Sequence, residues 1–215
     1  MAAKEQAEPG KTQDDPARSR IIDATFQVLM ERGYAGASTR EIARRARASK
    51  RELYALFDSK EGILAAMIGG RAARMRQPLA LPEVADREAF QETLTQFGIS
   101  LLREGSKPEV MALFRLAVAE AERAPDLARR LHDDGRRPTR AALVEFLERA
   151  GGRGLIGGDG QIMASQFLAL LWGDLQMSLL LRLAEAPSPE EVERRAKAAA
   201  AALLALYPAP VSRAR

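Results

Sequence analysis

Residues 37–57 read ASTREIARRARASKRELYALF and contain two tetrads with serine first and glutamate fourth, Ser38–Glu41 and Ser49–Glu52. Such a tetrad is typical of a helix start. The serine oxygen accepts a hydrogen bond from a free backbone N–H of the first turn, and the glutamate reaches back to the serine's own N–H. Because the two tetrads begin eleven residues apart, we predict a very short helix at about 39–46, a tight turn, and a second helix at about 50–57.

The residues before this stretch predict a third helix that packs against the other two. Asp15 can cap a helix that begins at Pro16, continues to about residue 32 and ends at Gly33. One face of this helix carries Ile21, Ile22, Thr25, Phe26, Leu29 and Met30. The residues able to complete a small core against it are Ile42, Ala43, Ala46, Leu53, Leu56 and Phe57. A pair of helices packed in this way displays the start of its second helix, which can enter a DNA major groove about 12 Å wide.

The formal net charge of +4 is confined to this part of the chain. The segment from Ser38 to Lys60 contains seven basic and three acidic residues, whereas the rest of the chain contains 26 of each. Basic residues concentrated in one small segment suit binding to the phosphates of a nucleic acid. Charge alone is equally consistent with a solvated, arginine-rich helix face that binds nothing.

The rest of the 215-residue chain is predicted to consist of helices separated by proline and glycine. The predicted ranges are about 59–77, 86–103, 108–122, 126–134, 139–150, 160–184 and 189–207, with a break or kink at Gly135 and Pro138. No stretch alternates as a strand does, so we predict an all-α fold. The expected parts are a disordered tail at 1–14, a helix-turn-helix domain at 15–60, a helical bundle at 61–208 and a tail at 209–215.

The sequence argues against an enzyme. Cysteine is absent, which excludes disulfides, cysteine-bound zinc and thiol chemistry. His132 is the single histidine, and nothing in the spacing requires a serine such as Ser165 or Ser178 to pair with it. Residues 151–160, GGRGLIGGDG, lack the Gly-Lys-Ser/Thr of a phosphate-binding loop. We therefore expect no catalysis, no cofactor and no metal site.

Neither a signal peptide nor a membrane span is expected. The first residues contain no apolar core of the length that a signal peptide needs, and no run of about eighteen apolar residues occurs. A cytoplasmic location without a membrane partner is therefore expected.

Residues 18–67 resemble the N-terminal DNA-binding domain of the TetR family of bacterial transcriptional regulators. The matching pieces are ERGY at the end of the first helix, STREIA, the pattern SK..LY..F, and SKEGIL at the start of the fourth helix. The resemblance implies an all-α homodimer in which three N-terminal helices bind double-stranded DNA. It also implies that the C-terminal domain dimerises and holds a small ligand.

The resemblance carries DNA-binding roles to particular residues. Thr39, Tyr54 and Lys60 match phosphate contacts, and Ser49 opens the helix that enters the groove. The positions that reach base edges are Arg40, Lys50, Arg51 and Glu52. Glu52 can either complete the helix cap or accept from a cytosine amino group, whereas Glu41 is expected to be a structural cap. The family's usual Ala-Gly-Val-Ser turn is replaced by Ala46-Arg47-Ala48-Ser49, so Arg47 must adopt the left-handed conformation or the turn must be reshaped.

The C-terminal half contains two helices that suit a dimer interface. The helix predicted at 160–184 is apolar on most faces, which predicts burial on more than one side. Its apolar residues include Ile162, Met163, Phe167, Leu168, Leu170, Leu171, Leu175, Met177, Leu179 and Leu180. The last helix has alanine at 198–202 and permits close helix approach. An interior helix of a monomer would have the same pattern; the resemblance implies that the last two helices form the homodimer.

The C-terminal domain also supplies candidates for a ligand site, chosen from apolar or amphipathic spacing. They are Phe97, Leu101, Met111, Phe114, Arg115, Trp172 and Gln176. For each of them, ordinary core packing is the competing interpretation. The resemblance thus implies a repressor that binds a palindromic operator as a homodimer and is released by a small apolar or aromatic effector. The alternative is a DNA-binding dimer without a small-molecule ligand, acting architecturally or through a protein partner.

Overall fold

The computed structural model of the chain describes residues 15–80 and 84–210, and all of the regular structure within these ranges is helical. The helices are α1 (Pro16–Gly36), α2 (Thr39–Ala46), α3 (Lys50–Phe57), α4 (Lys60–Arg76), a 3-10 turn (Gln77–Ala80), α5 (Arg87–Gly105), α6 (Pro108–Ala119), α7 (Pro125–Arg130), a π-helical segment (Leu131–Arg136), α8 (Arg137–Gly152), α9 (Gly160–Trp172), α10 (Leu175–Leu180) and α11 (Pro189–Leu206). The all-α prediction is confirmed. The predicted tail at 1–14 and residues 211–215 of the second tail lie outside the described residues.

The chain divides into two compact units between Met67 and Ile68. The first unit contains α1, α2, α3 and the first residues of α4. Its fully buried side chains are Ile21, Val28, Leu29, Ile42, Leu53, Ile63 and Leu64. Asp15 accepts from the backbone N–H of Ala17 at 2.8 Å and caps α1. The predicted end of the first helix at Gly33 is a kink with a φ of 68°, after which one more turn leads to Gly36.

The turn between α2 and α3 contains a strained arginine. Arg47 has φ 51° and ψ 41°, which is the left-handed conformation, so the first of the two predicted outcomes for this turn is confirmed. Its N–H bonds to the Arg44 carbonyl at 3.3 Å, and Ala48 N–H bonds to the Ala43 carbonyl at 3.0 Å. The turn therefore keeps the geometry that glycine usually provides, in spite of the arginine side chain.

Replacing Arg47 by glycine is expected to stabilise the first unit by about 1 kcal/mol, because glycine adopts a left-handed conformation without a steric penalty. Urea unfolding followed by circular dichroism measures the change. Arg44→Gly is the matched control, since the same substitution inside α2 should destabilise by about 1 kcal/mol. If both substitutions destabilise the unit, the Arg47 side chain contributes more stability than its left-handed backbone conformation costs.

The second unit is a bundle in which α5 packs against α11 and α9, and α8 packs against α9. The rings of Phe90 and Phe146 stack with centroids 5.3 Å apart, and those of Phe97 and Phe167 stack at 6.1 Å. A Cβ at Gly98 would lie only 3.1 Å from that of Ala196, which shows how closely α5 and α11 approach. The core of this unit therefore lies around α5.

One prediction about helix continuity was wrong. The helix predicted at 160–184 is interrupted at Gly173, whose φ of 48° separates α9 from α10. At Gly135 and Pro138, where a break or kink was predicted, the helix does not break but is irregular, because the π-helical segment that contains Gly135 leads directly into α8. Pro138 lies in the first turn of α8, where its missing N–H would have no helical partner in any case.

The apolar helices near the carboxyl end are less buried than their composition predicted. Met163, Phe167 and Leu171 are buried, but Ile162 is 54% exposed and Leu170 is 43% exposed. In the single chain α9 packs against α5, α8 and α11, so it is buried on more than one side, as predicted, but not all of its apolar residues are covered. One apolar face of α9 remains open to solvent.

Candidate nucleic-acid interface

The start of α3 is fixed by a reciprocal cap. The Glu52 N–H donates to Ser49 Oγ at 3.0 Å, and the Ser49 N–H donates to Glu52 Oε2 at 3.4 Å. Glu52 Oε1 also lies 4.0 Å from Arg20 Nη2. The Glu52 carboxylate thus completes the cap, which is the first of its two predicted roles.

The start of α2 has only half of this arrangement. Ser38 Oγ accepts from the Glu41 N–H at 3.3 Å, but the Ser38 N–H donates to the Gly36 carbonyl at 3.0 Å. The Glu41 carboxylate instead accepts from Arg44 Nε at 3.0 Å. The predicted return bond from Glu41 to Ser38 is therefore wrong, since the serine N–H already has an acceptor and Glu41 has a cationic partner.

Two arginines of α2 are neutralised by carboxylates of the same unit. Arg45 binds Glu31 of α1 through both Nη atoms, with Nη2 at 2.6 Å from Oε2. Hydrogen bonding from Arg45 lowers the pKa of the Glu31 carboxyl, and hydrogen bonding from Arg44 lowers the pKa of Glu41. Both carboxylates are therefore ionised at neutral pH. Much of the positive charge of α2 is therefore balanced by carboxylates of α1 and α2.

The cationic residues at the start of α3 lie at the surface. Lys50 and Arg51, in the first turn of α3, are both exposed, and so is Arg40 in the first turn of α2. These side chains extend from the starts of helices whose backbone is held in place by serine caps. Long cationic side chains in this position can reach base edges or phosphates of a duplex.

The two hydroxyl residues predicted as phosphate contacts lie side by side. Thr39 Oγ1 and Tyr54 Oη are 3.3 Å apart, although fifteen residues separate them in the chain. Tyr54 is 45% exposed, so its ring is not part of the core. This pair joins the beginning of α2 to the middle of α3 and presents two hydroxyl groups at one place.

Lys60 is held at the beginning of α4 by Tyr34. Lys60 Nζ donates to the Tyr34 carbonyl at 2.8 Å and lies 4.0 Å from the centroid of the Tyr34 ring. Ser59 Oγ accepts from the Gly62 N–H at 3.0 Å and caps the same helix end. The ammonium group is therefore held against Tyr34. Independently of it, the amino end of α4 is a type of site that favours an anion. The spacing of the sequence contained no signal for the Tyr34 contact.

Gly62 is required by the close approach of α3 and α4. A Cβ built on Gly62 would lie 1.9 Å from the carbonyl oxygen of Phe57, the last residue of α3. No side chain can occupy that space without moving the backbone. The glycine of SKEGIL thus permits the tight connection that follows α3.

Most of the candidates for a ligand site in the second unit belong to one hydrophobic cluster or pack against it, namely Phe97, Leu101, Met111, Phe114 and Trp172. Phe97 and Leu101 are buried in the core, whereas Phe114, Trp172 and Gln176 are half-buried. Met111 and Arg115 line an open groove of about 560 Å³. The other residues lining this groove are Ser106, Pro108, Leu179, Arg182, Leu183, Ala184, Glu185 and Ala186. Arg115 Nη1 donates to the Leu179 carbonyl at 3.2 Å, so its guanidinium already has an acceptor.

Residues 15–80 and 84–210 contain neither a metal-binding cluster nor a helix able to span a membrane. This part of the chain contains no group of three or more His, Asp or Glu side chains able to hold a metal ion. None of its helices combines the length and apolarity needed to cross a membrane.

Comparison with known proteins gives matches over both units. Residues 21–67 match the model of bacterial regulatory proteins of the tetR family, and residues 92–209 match the model of the C-terminal domain of AefR-like transcriptional repressors. The HTH-type transcriptional regulator YvkB of Bacillus subtilis is 24% identical over 167 residues, which cover 74% of this chain and 80% of that protein.

Solved structures are similar over most of the chain. A TetR transcriptional regulator from Agrobacterium tumefaciens is 30% identical, with a TM-score of 0.70, and the match covers 90% of this chain and 95% of that one. The flavonoid-responsive regulator FrrA is 28% identical, also with a TM-score of 0.70, over 91% of this chain and 98% of that one. The similarity therefore includes both the helix-turn-helix unit and the bundle.

Proposed function

This chain belongs to the TetR family of bacterial transcriptional regulators, and on that premise we propose that it is a ligand-responsive repressor that binds a palindromic operator as a homodimer. Its relatives are regulators and not enzymes. The observation that carries the proposal is the exposed cationic first turn of α3, held by the cap between Ser49 and Glu52. A protein with this role acts on the chromosome, so its proposed location is the cytoplasm.

The proposed contacts divide into two kinds. Arg40, Lys50 and Arg51 reach base edges, and an arginine there most readily binds O6 and N7 of guanine. Phosphates are bound by the hydroxyl pair of Thr39 and Tyr54 and, as a separate contact, by Lys60. The positions of the side chains support this division, because Lys50 and Arg51 are exposed in the first turn of α3, whereas the Tyr54 hydroxyl lies beyond that turn, beside Thr39. Glu52 is assigned mainly to the cap.

Replacing Arg51 by alanine is expected to reduce discrimination between the operator and duplexes with one changed base pair by about 1–3 kcal/mol. Tyr54→Phe removes one phosphate contact and is expected to weaken all duplexes alike, by roughly tenfold. The operator is first obtained by selection of bound fragments from random DNA, and affinities are then measured by fluorescence anisotropy. Arg44→Ala is the control, because this arginine is paired with Glu41. Equal loss of discrimination in all three variants would contradict the assignment of roles.

A homodimer through α9 and α11, which correspond to the two helices predicted near the carboxyl end, is supported by their solvent-exposed faces. Ile162 and Leu170 lie eight residues apart on one face of α9, and Leu206 at the end of α11 is 60% exposed. The exposed residues of α11 also include Ala198, Ala201 and Ala205. Small side chains allow two helices to approach closely, and apolar ones gain by being covered. Two copies joined by a two-fold axis would meet half-sites about 34–36 Å apart.

The effector is proposed to be a small apolar or aromatic molecule bound by the second unit. The flavonoid-responsive relative is controlled by an aromatic compound, according to its name, and it is similar to this chain over the second unit as well. Thermal melts with a library of aromatic and aliphatic compounds, followed by anisotropy with operator DNA, test the proposal. A compound that stabilises the protein and releases DNA is the expected result. If no compound stabilises the protein, the alternative of a DNA-binding dimer without a ligand is favoured.

A further inference from the structure

In the described part of the chain, the one buried side-chain nitrogen or oxygen without a hydrogen-bond partner is Nη1 of Arg76. In the same part of the chain, every buried serine or threonine hydroxyl group has a hydrogen-bond partner. Each donates to the carbonyl four residues earlier, at 2.6–2.9 Å, and they are Thr25, Thr93, Thr95, Ser106 and Thr139. The lack of an acceptor for Arg76 is therefore an exception in an otherwise satisfied interior.

An enclosed guanidinium N–H without an acceptor is unfavourable, because it has lost its hydrogen bond to water and gained none in return. Native proteins satisfy almost all such groups, so an orphan of this kind points to a missing partner. We propose that the partner is the carboxylate of a small organic ligand, and that Arg76 is the residue that binds it. This inference rests on the proposed function, since it names the chemical class of the effector.

Arg76 belongs to the buried face of α4. Ile68 and Ala72, eight and four residues earlier, lie on the same face and are both buried. Met75 packs against the core of the second unit. A ligand whose charged end binds Arg76 would thus find apolar side chains for the rest of its surface.

The same stretch of α4 lies beside the helices of the second unit. A Cβ at Gly135, in the π-helical segment, would lie 3.0 Å from Ile68 Cγ2. Three residues after Arg76, the carbonyl of Leu79 accepts from Arg149 Nη2 of α8 at 3.4 Å. The chain on both sides of Arg76 is therefore in contact with the π-helical segment and α8. Arg76 itself is half-buried, and its Nη1 atom is the enclosed end of the side chain.

Neighbouring arginines have acceptors within the protein. Arg74 Nε donates to Glu104 Oε2 at 3.3 Å, Arg149 donates to Leu79, and Arg115 donates to Leu179. Arg115, the cationic ligand candidate chosen from the sequence, is thus already engaged with a carbonyl. An acidic ligand would gain most at Arg76, because guanidinium and carboxylate form strong charge-assisted hydrogen bonds.

Thermal unfolding of the full-length protein with matched acids and amides tests the proposal. The probes are benzoate, salicylate, 4-phenylbutyrate and octanoate, each compared with its neutral amide at equal concentration and ionic strength. At least one carboxylate is expected to raise the midpoint of the wild type more than its amide does. Arg76→Gln should weaken the apparent affinity for that carboxylate roughly tenfold to a hundredfold. Arg74→Gln, the matched control on the same turn of α4, should respond as the wild type does.

Three results would overturn the proposal: no response to any of the four acids, equal stabilisation by acid and amide, or an unchanged response in Arg76→Gln. Arg76→Lys keeps the charge and is the second variant if Arg76→Gln does not fold; it should retain part of the response. Anisotropy with operator DNA separates this inference from the proposed function. If a carboxylate binds through Arg76 but does not release DNA, only the proposal that the effector releases the operator is contradicted. If a neutral compound releases DNA from the Arg76→Gln protein, only the role of Arg76 is contradicted.

Discussion

Replacing Leu170 by glutamate is expected to convert the protein to a monomer and to weaken binding to a palindromic operator by roughly 100- to 10,000-fold. Leu170 is 43% exposed on the same face of α9 as Ile162. In the proposed homodimer this face is covered by the other copy, where an uncompensated carboxylate is strongly unfavourable. The large effect on DNA follows because two linked heads bind a palindrome far more tightly than one head binds a half-site.

Light scattering after size exclusion measures the mass, and anisotropy with a full operator and an isolated half-site measures the affinity. Leu183→Glu is the matched control, because Leu183 is even more exposed, at 78%, but lies outside α9 and α11. It should remain dimeric. If the Leu170→Glu protein is still a dimer, the dimer interface does not include this face of α9. If the Leu183→Glu protein is a monomer, the interface includes the residues that follow α10.

Replacing Gly62 by alanine is expected to destabilise the first unit by about 3 kcal/mol and to abolish operator binding. The added methyl group would lie 1.9 Å from the Phe57 carbonyl oxygen, which is backbone and cannot turn aside as a side chain can. The connection between α3 and α4 must therefore shift. That shift would disturb α3 and the place where Lys60 meets Tyr34.

Gly70→Ala in the same helix is the control, since nothing lies within 4 Å of a Cβ at that position. Alanine there should be neutral or stabilising by up to about 1 kcal/mol, because it favours the helix. Hydrogen exchange of α3 and α4, measured together with urea unfolding, reports where the loss occurs. The steric explanation would be contradicted if the amide protons of α3 in Gly62→Ala remained as protected from exchange as in the wild type. It would also be contradicted if both variants lost the same free energy of unfolding.

The sequence predicted the helix-turn-helix unit closely because local chemistry determines its boundaries. The predicted ranges 39–46 and 50–57 are those of α2 and α3, since each begins at a serine cap. The left-handed conformation of Arg47 was one of two outcomes that the comparison with the family's usual Ala-Gly-Val-Ser turn left open. By contrast, the ion pair of Arg45 with Glu31 joins residues fourteen positions apart on different helices. No rule of helical spacing could find it.

Local patterns were less informative in the second unit, and the reasons are physical. A single glycine in an apolar run is a weak signal, so the separation of α9 from α10 at Gly173 depends on packing that the local pattern does not contain. Seven ligand candidates were chosen by apolar spacing, which cannot separate a core residue such as Phe97 from a residue beside a ligand. Arg76 was missed because RAARMR reads as an ordinary basic helix end. Its missing acceptor is visible only in three dimensions.

The pairing of Arg44 and Arg45 with acidic neighbours changes what the charge of this segment means for DNA. Binding to DNA displaces condensed cations in proportion to the phosphates that the protein neutralises, and arginines committed to Glu41 and Glu31 displace few. The dependence of affinity on ionic strength should therefore be shallower than a count of basic residues suggests. If the affinity for DNA depends only modestly on ionic strength, the pairing of Arg44 and Arg45 within the protein is the reason. Preference for the operator over other DNA would then persist over a wider range of cellular potassium concentrations.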